Sequence, residues 1–491
     1  MNSRLILSLI LLFVLAACKE QCVPEHYEES GALPIIYPDY VDVTVPVNIA
    51  PLNLELLVGA DDAVMRFSTN DCEIVCSGLK ARPDIDDWRT LTSKAKGKSI
   101  KVEIFAENGG RWVRFKPFNI YVSTDPIDPW LSYRMISPSY VSYEELTINQ
   151  RCLENFDEEV IVDNMLCSTE SGGQCVNCHS YQQQNPERMQ FHARQSHGGT
   201  IIVYDGKIEK LEFPAVYPAW HPQMKLIAYS TNKTMQAFHT ADNNKIEVID
   251  SESDLILYDV EKHEATIIEQ QPDELETYPC WSPDGKWLYF CSAHFEYAAD
   301  SIDLAEITLR AKEVKYNIYR KAFDPSSKVF GERELVFAAD TLGMSATLPR
   351  ISPDGRWLMF TMGQWGCFHI WHHDADLWMI DLQNGISRPM EECNSDDTES
   401  YHSWSSNGRW VVFSSRRNDG IFTRPFFAHI DAEGRSSKPF ELPAANPDYH
   451  RQLLKSYNVP EFMRGQVKLT PQQVARELKK NGVNVTSQPC Q

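Results

Sequence analysis

Four stretches of the chain repeat one pattern of large apolar and polar positions: YPAWHPQMKLIAYS (217–230), YPCWSPDGKWLYFCS (278–292), LPRISPDGRWLMFTM (348–362) and YHSWSSNGRWVVFSS (401–415). Each predicts a short strand, a tight turn, and a second strand that alternates large apolar residues with smaller or polar ones. Asp-Gly and Asn-Gly supply the turn, because glycine tolerates positive φ and Asp or Asn caps its own backbone. A further strand pair follows, clearest in DLILYDVEKHEATII (254–268) and DLWMIDLQNGISRPM (376–390). Two hairpins per repeat make a four-stranded sheet, and sheets repeated radially make a β-propeller. The stretches 146–163 and 200–213 read as further hairpins, so five or six blades are expected, with six preferred.

Residues 38–130 are rich in strand patterning but do not repeat. DAVMRFSTNDCEIVC, KSIKVEIFAEN and RWVRFKPFNIYVS alternate apolar and polar positions, and predict a small β-sandwich-like domain. The remaining divisions are a leader over 1–17, a linker over 18–37, a partial blade over 131–164 and a polar segment over 165–198. The propeller repeats run over 199–445, and a tail with short helices over 446–491. In the tail, Thr470 and Gln473 match a capping box, with Pro471 at the first turn and Gly482 as the stop.

These repeats resemble those of TolB-like propellers, with Ser-Pro-Asp-Gly-Lys/Arg as their signature. The resemblance covers about residues 199–445, and departs at Gln223-Met224 and Ser406-Asn407. It implies an all-β propeller and leaves the cellular role open, because TolB itself has a different N-terminal domain and no lipid.

The formal net charge of −21 removes the basic footprint that nucleic-acid binding needs. The N-terminus adds a location. Arg4 precedes an apolar run from Leu5 to Ala17, too short for a stable membrane span, and the run ends in Leu15-Ala16-Ala17-Cys18. This resembles the bacterial lipobox, which implies cleavage before Cys18 and acylation of that cysteine. Lys19 follows in place of the aspartate that retains enteric lipoproteins at the inner membrane, and implies an outer-membrane destination. The expectation is a cell-envelope protein held to the membrane by lipid, in a compartment that permits disulfides among the remaining cysteines.

In that compartment GGQCVNCHS (172–180) carries the most chemistry. Cys175, Cys178 and His179 have the C-x-x-C-H spacing of a c-type haem site: two thiols for the haem vinyls and an adjacent imidazole for the iron. A redox dithiol wants its C-x-x-C at a helix start in a βαβ unit. A structural zinc site wants four ligands, and the other close pair, Cys72/Cys76, lies in the other domain. A structural or accidental motif is the fourth alternative. NPERMQFHARQS (185–196) reads as a short helix that could double back over the haem, so His192, then Met189, then His197 are candidates for the sixth ligand.

With this motif the chain resembles bacterial lipoproteins that join a TolB-like propeller to one c-type haem segment, some labelled cytochrome c biogenesis proteins. The resemblance implies one covalent haem c. The function expected is a monohaem cytochrome exchanging electrons with a docked redox partner. A binding or scaffolding propeller with structural or no haem is the alternative. A haem-dependent enzyme acting on a small molecule in the propeller funnel is another.

Propeller topology puts the haem segment on the face shared by the D→A and B→C loops. That face also collects Tyr217, Asn232, Lys233, His239, Tyr278, His294, Gln364, His372, Tyr401, His402 and Arg416. His239, Lys233, His372, Tyr401 and His402 form the candidate funnel site. FHIWHHDAD (368–376) is the densest stretch, with His369, His372, His373, Asp374 and Asp376, and could hold a transition metal or supply polar loop residues only.

Overall fold

The computed structural model describes residues 22–138, 145–168, 173–213, 216–239, 244–299 and 301–488. The leader and Cys18 lie outside the described residues. The chain divides into two compact units.

The smaller unit comprises Ala50–Thr124, the described part of Met1–Val43, and Pro443–Tyr449. Its main sheet pairs Asp62–Thr69 with Cys72–Ser77 and Ser99–Asn108, and Ser99–Asn108 with Arg111–Arg114 and Phe118–Ser123, all antiparallel. A second, small sheet joins Ile36–Tyr37, Leu54–Leu56 and Lys80–Ala81. The all-strand expectation is corrected here by a helix, Ile85–Ala95. Asp84 caps it by accepting from the Asp86 and Asp87 backbone N–H groups. Trp88, Leu91 and Ala95 of this helix are buried, and Trp88 meets Phe67 edge-on at 6.0 Å.

The larger unit is a propeller of sheets, each built on an antiparallel meander of four strands, with Val483–Asn484 and Thr486–Gln488 adding a parallel fifth strand to the second and third. Six are described. From inner to outer strand, the first is Ser456–Met463, Trp130–Ile136, Thr147–Cys152 and Glu158–Asp163. The second is Val176–Tyr181, Met189–Ala193, Gly199–Tyr204 and Lys207–Glu212. The third is Val216–Trp220, Leu226–Ser230, Leu255–Asp259 and Glu264–Glu269. The fourth runs from Glu274–Trp281 to Val329–Phe337, the fifth from Ser345–Ile351 to Ile386–Pro389, and the sixth from Glu399–Trp404 to Phe440–Glu441. Inner strands of successive sheets adjoin, and that of the sixth adjoins Ser456–Met463 of the first. The chain's end thus supplies the inner strand for the sheet begun by Trp130–Ile136.

The repeat signature has a physical basis. The Ser282 hydroxyl donates to Asp284 Oδ1 at 2.6 Å and accepts from the Trp287 N–H at 3.0 Å. Ser352 does the same with Asp354 and Trp357, and Ser405 with Asn407 and Trp410. His221 replaces the serine in the third sheet, its Nδ1 accepting from the Gln223 and Met224 N–H groups. The tryptophan before the turn latches adjacent sheets: Trp281 Nε1 donates to the Ala219 carbonyl at 3.1 Å, and Trp404 Nε1 to that of Arg350 at 3.2 Å.

Two expectations are corrected in the second sheet. Residues 165–198 are not a loop–helix insertion, since Val176–Tyr181 and Met189–Ala193 are its first two strands. The helix over 185–196 is absent: Asn185–Arg188 form a turn, and Gln195–His197 a single 3₁₀ turn. Met189, Phe191 and Ala193 pack into the core on one face, while Gln190 and His192 are buried on the other. Polar residues on a buried face hid the strand period. The tail helix Pro471–Leu478 forms as read, with Thr470 and Gln473 closing the capping box.

Candidate functional site

Every inner strand carries the same kink. Cys178, Tyr217, Tyr278, Leu348, Tyr401 and Val459 all have φ between 47° and 56°. The pairing register slips at each of these places. Non-glycine residues at positive φ are uncommon, and here they recur as a bulge around the channel. The following residue is Pro218, Pro279, Pro349 and Pro460 in four strands, and His179 and His402 in the other two.

Beyond the kinks the channel opens into a cavity of about 210 Å³. All six inner strands contribute to its wall, which includes Tyr181, Trp220, Trp281 and Trp404 as aromatic faces and His179, His402, Arg350 and Glu461 as polar groups. Cys178 also lines it. His179 is 2 % exposed, and neither ring nitrogen makes a well-formed hydrogen bond, the Val459 backbone offering only a weak contact. Burial, reinforced by the Arg134 charge, holds its pKa down to about 3, so the imidazole is neutral. His402 is neutral for the same reason, but its Nε2 bonds the Met359 carbonyl at 3.1 Å. Trp220 Nε1 is a second buried donor without an acceptor. Cys175 and Cys178 are buried, unbridged thiols, and burial raises the Cys178 pKa.

The cavity lies where the inner strands turn outward to their second strands. This corrects the expectation that the motif opens on the D→A and B→C face. At that other end the hairpin Lys233–Phe238/Ile246–Glu252 and residues 364–376 are interlocked with the starts of the inner strands. His372 Nε2 meets Glu247 Oε2 at 2.8 Å, and Trp365 Nε1 donates to the same carboxylate at 2.9 Å. Tyr316 and Asn232 donate to Asp250, and the Thr347 hydroxyl meets His369 Nδ1 at 2.9 Å.

The candidate funnel residues are therefore not one constellation. Tyr401 and His402 reach the cavity. His372 is fully buried in the interlocked end, Lys233 is exposed and paired with Glu252, and half-buried His239 follows the first strand of the hairpin. The histidines and carboxylates of 368–376 form no group that could hold a metal ion among the described residues. Met189 lies in the core. His192 Nδ1 bonds the Thr200 hydroxyl at 3.1 Å, and His192 and His197 line a different cavity from His179. Arg350 and Glu461 were not singled out in the sequence. Arg350 sits in the repeat where no other copy has a cation, and Glu461 lies on a strand that carries no repeat signature.

No protein-family model matches the chain, and no curated protein does. Among solved structures it is similar to TolB from Acinetobacter baumannii, at 13 % identity over 77 % of this chain and 85 % of that one, with a TM-score of 0.42. It is also similar to a GH74 enzyme of Niastella koreensis, at 11 % identity over 66 % of this chain and 44 % of that one, with a TM-score of 0.37. Likeness at this level carries no functional information.

Proposed function

We propose that this protein is a lipid-anchored cell-envelope propeller that carries a covalent haem c through Cys175, Cys178 and His179, and exchanges electrons with a protein docked at that end of the channel. One observation carries the reading: His179 is a buried, neutral imidazole with no well-formed hydrogen bond at either nitrogen, facing a cavity. Buried polar groups are almost always bonded, so an unpaired one marks a site for a ligand. A neutral imidazole is the form that ligates a metal. The two thiols beside it are unbridged.

The fit of these residues to haem is uneven. His179 and Cys178 line the cavity, while Cys175 does not. An extended strand rises about 3.3 Å per residue, which separates thiols three positions apart unless the kink at Cys178 draws them together. The cavity of about 210 Å³ is below the usual 300–1,000 Å³ or so of small-molecule clefts, so a macrocycle would extend through its mouth. When bound, haem c supplies a one-electron iron couple. The chain supplies the thiols that hold it, an imidazole kept neutral by burial, and aromatic walls that exclude water.

A second reading is a binding propeller without haem. It is favoured by His402, which holds the equivalent place in the sixth sheet and whose Nε2 is bonded by the protein alone. Protein made with a cytochrome c maturation system separates the two. A denaturing gel stained for haem should show the wild type stained and Cys175→Ala/Cys178→Ala unstained. An unstained wild type removes the cytochrome reading.

A further inference from the structure

A second cavity, of about 730 Å³, lies on the second sheet away from the kinked motif. Its wall is made by residues 192–195 and 197–199, by Lys210, Glu212 and Phe213, and by Lys479–Asn481 just beyond the tail helix. In a chain of net charge −21, this wall gathers Arg194, Lys210, Lys479 and Lys480 with two histidines against one carboxylate, Glu212.

Not all of that charge is unspent. Lys480 Nζ is held by Glu477 at 2.6 Å. Lys210 differs: it is 6 % exposed, its ammonium donates to the Lys480 carbonyl at 3.2 Å, and the nearest carboxylate oxygen, Glu212 Oε1, is 3.5 Å away. That same oxygen already accepts from the Gly482 N–H at 2.7 Å. A buried ammonium whose one carboxylate stands 3.5 Å away and is shared with a backbone N–H is only partly compensated, and a bound anion would complete it. His197 Nε2 is also buried without a partner. Gly199 holds the arrangement open: its φ is +144°, and a Cβ there would lie 2.7 Å from both the Leu211 carbonyl oxygen and Lys210 Cε.

We propose that this cavity binds a phosphomonoester, with its phosphoryl oxygens against Lys210 and Arg194 and with His197 and Lys479 at the rim. A doubly charged oxyanion matches several cations with one competing carboxylate, and the planar guanidinium of Arg194 suits bidentate phosphate recognition. The cavity exceeds a bare phosphate, which leaves room for the body that carries it.

The test uses the full processed protein in detergent, titrated with glucose 6-phosphate and, separately, with phosphatidate vesicles. Binding is followed by calorimetry and by the rise in melting temperature with ligand concentration. Saturable binding is expected at or below about 1 mM, with no effect of sodium chloride at equal ionic strength. Lys210→Met and Arg194→Gln should each weaken it about tenfold or more, the loss expected for a charged hydrogen bond. Lys479→Gln, at an exposed position whose loss cannot unfold the chain, should weaken it several-fold. Binding of vesicles alone assigns the phosphoryl group to lipid; binding of the sugar phosphate assigns it to a soluble ester. No saturable binding of either probe, or binding untouched by all three variants, overturns the proposal.

Discussion

Replacing Trp281 by Phe should destabilise the propeller more than the same change at Trp220. Trp220, Trp281 and Trp404 occupy one position of the repeat, with exposures of 7 %, 7 % and 4 %. All three variants lose the same part of an indole ring, so their packing losses are comparable. Trp281→Phe also removes the bond to the Ala219 carbonyl, and Trp404→Phe the bond to the Arg350 carbonyl. Each bond joins two sheets far apart in sequence. The net value of such a bond is about 0.5–1.5 kcal/mol, and unpairing a part-buried carbonyl adds a smaller share of the roughly 1–3 kcal/mol that a fully buried one costs. Trp220 Nε1 has no acceptor, so its removal incurs neither loss. Trp281→Phe and Trp404→Phe should therefore be about 1–2 kcal/mol less stable than Trp220→Phe. Urea denaturation followed by tryptophan-independent circular dichroism measures the shift in midpoint at unchanged slope. If Trp220→Phe is as destabilised as the other two, the sheet-to-sheet latch is not what the repeat tryptophan contributes.

Glu276 is fully buried, and burial, helped by the charges of Asp254, Glu269 and Glu274 and opposed by the Gln271 N–H, pushes its pKa to about 8. The folded state therefore holds a proton that the unfolded chain releases near the ordinary carboxyl value of 4.5, and stability falls as pH rises from there through about 8. Glu276→Gln should flatten that decline in melting temperature, and a decline of unchanged depth would refute the assignment. Cys18→Ala should abolish palmitate labelling and release the protein from membranes, whereas equal labelling of the variant would move the lipid elsewhere.

The fourth to sixth sheets were legible because their chemistry is local, and the third because its apolar alternation matches theirs. A serine, an Asp or Asn two residues later and a glycine make a turn wherever they occur, and large apolar alternation follows. The second sheet was not, because its buried face is polar and satisfied from a distance. Gln182 Nε2 reaches the His221 and Met224 carbonyls, and Gln190 bonds the Cys178 carbonyl and the Tyr229 hydroxyl. Such partners are invisible to a periodicity count, so CHSYQQQNPERMQFHA read as loop and helix. The first sheet was partly legible for another reason: its inner strand, Ser456–Met463, arrives from the far end of the chain. The candidate site inherited both gaps. Its histidine was visible as part of a motif, whereas its place in the ring of kinks was not.

That ring offers a way to remove the His179 imidazole without disturbing the fold. Alanine there would confound loss of a ligand with loss of packing against a buried wall. Proline would not, because Tyr217-Pro218, Tyr278-Pro279, Leu348-Pro349 and Val459-Pro460 show that the kink accepts a proline after its positive-φ residue. At those four positions the chain forgoes a backbone N–H, so the geometry does not depend on one. His179→Pro should thus fold with a melting temperature close to that of the wild type. If His179 holds an iron or another ligand, the variant should lose that ligand's absorption or binding signal while keeping the wild-type far-ultraviolet circular dichroism. His402→Pro serves as the comparison: it sacrifices a bond to Met359 and should lower stability, which His179→Pro should not. If His179→Pro unfolds, or retains the full ligand signal, then the imidazole is packing and not a site.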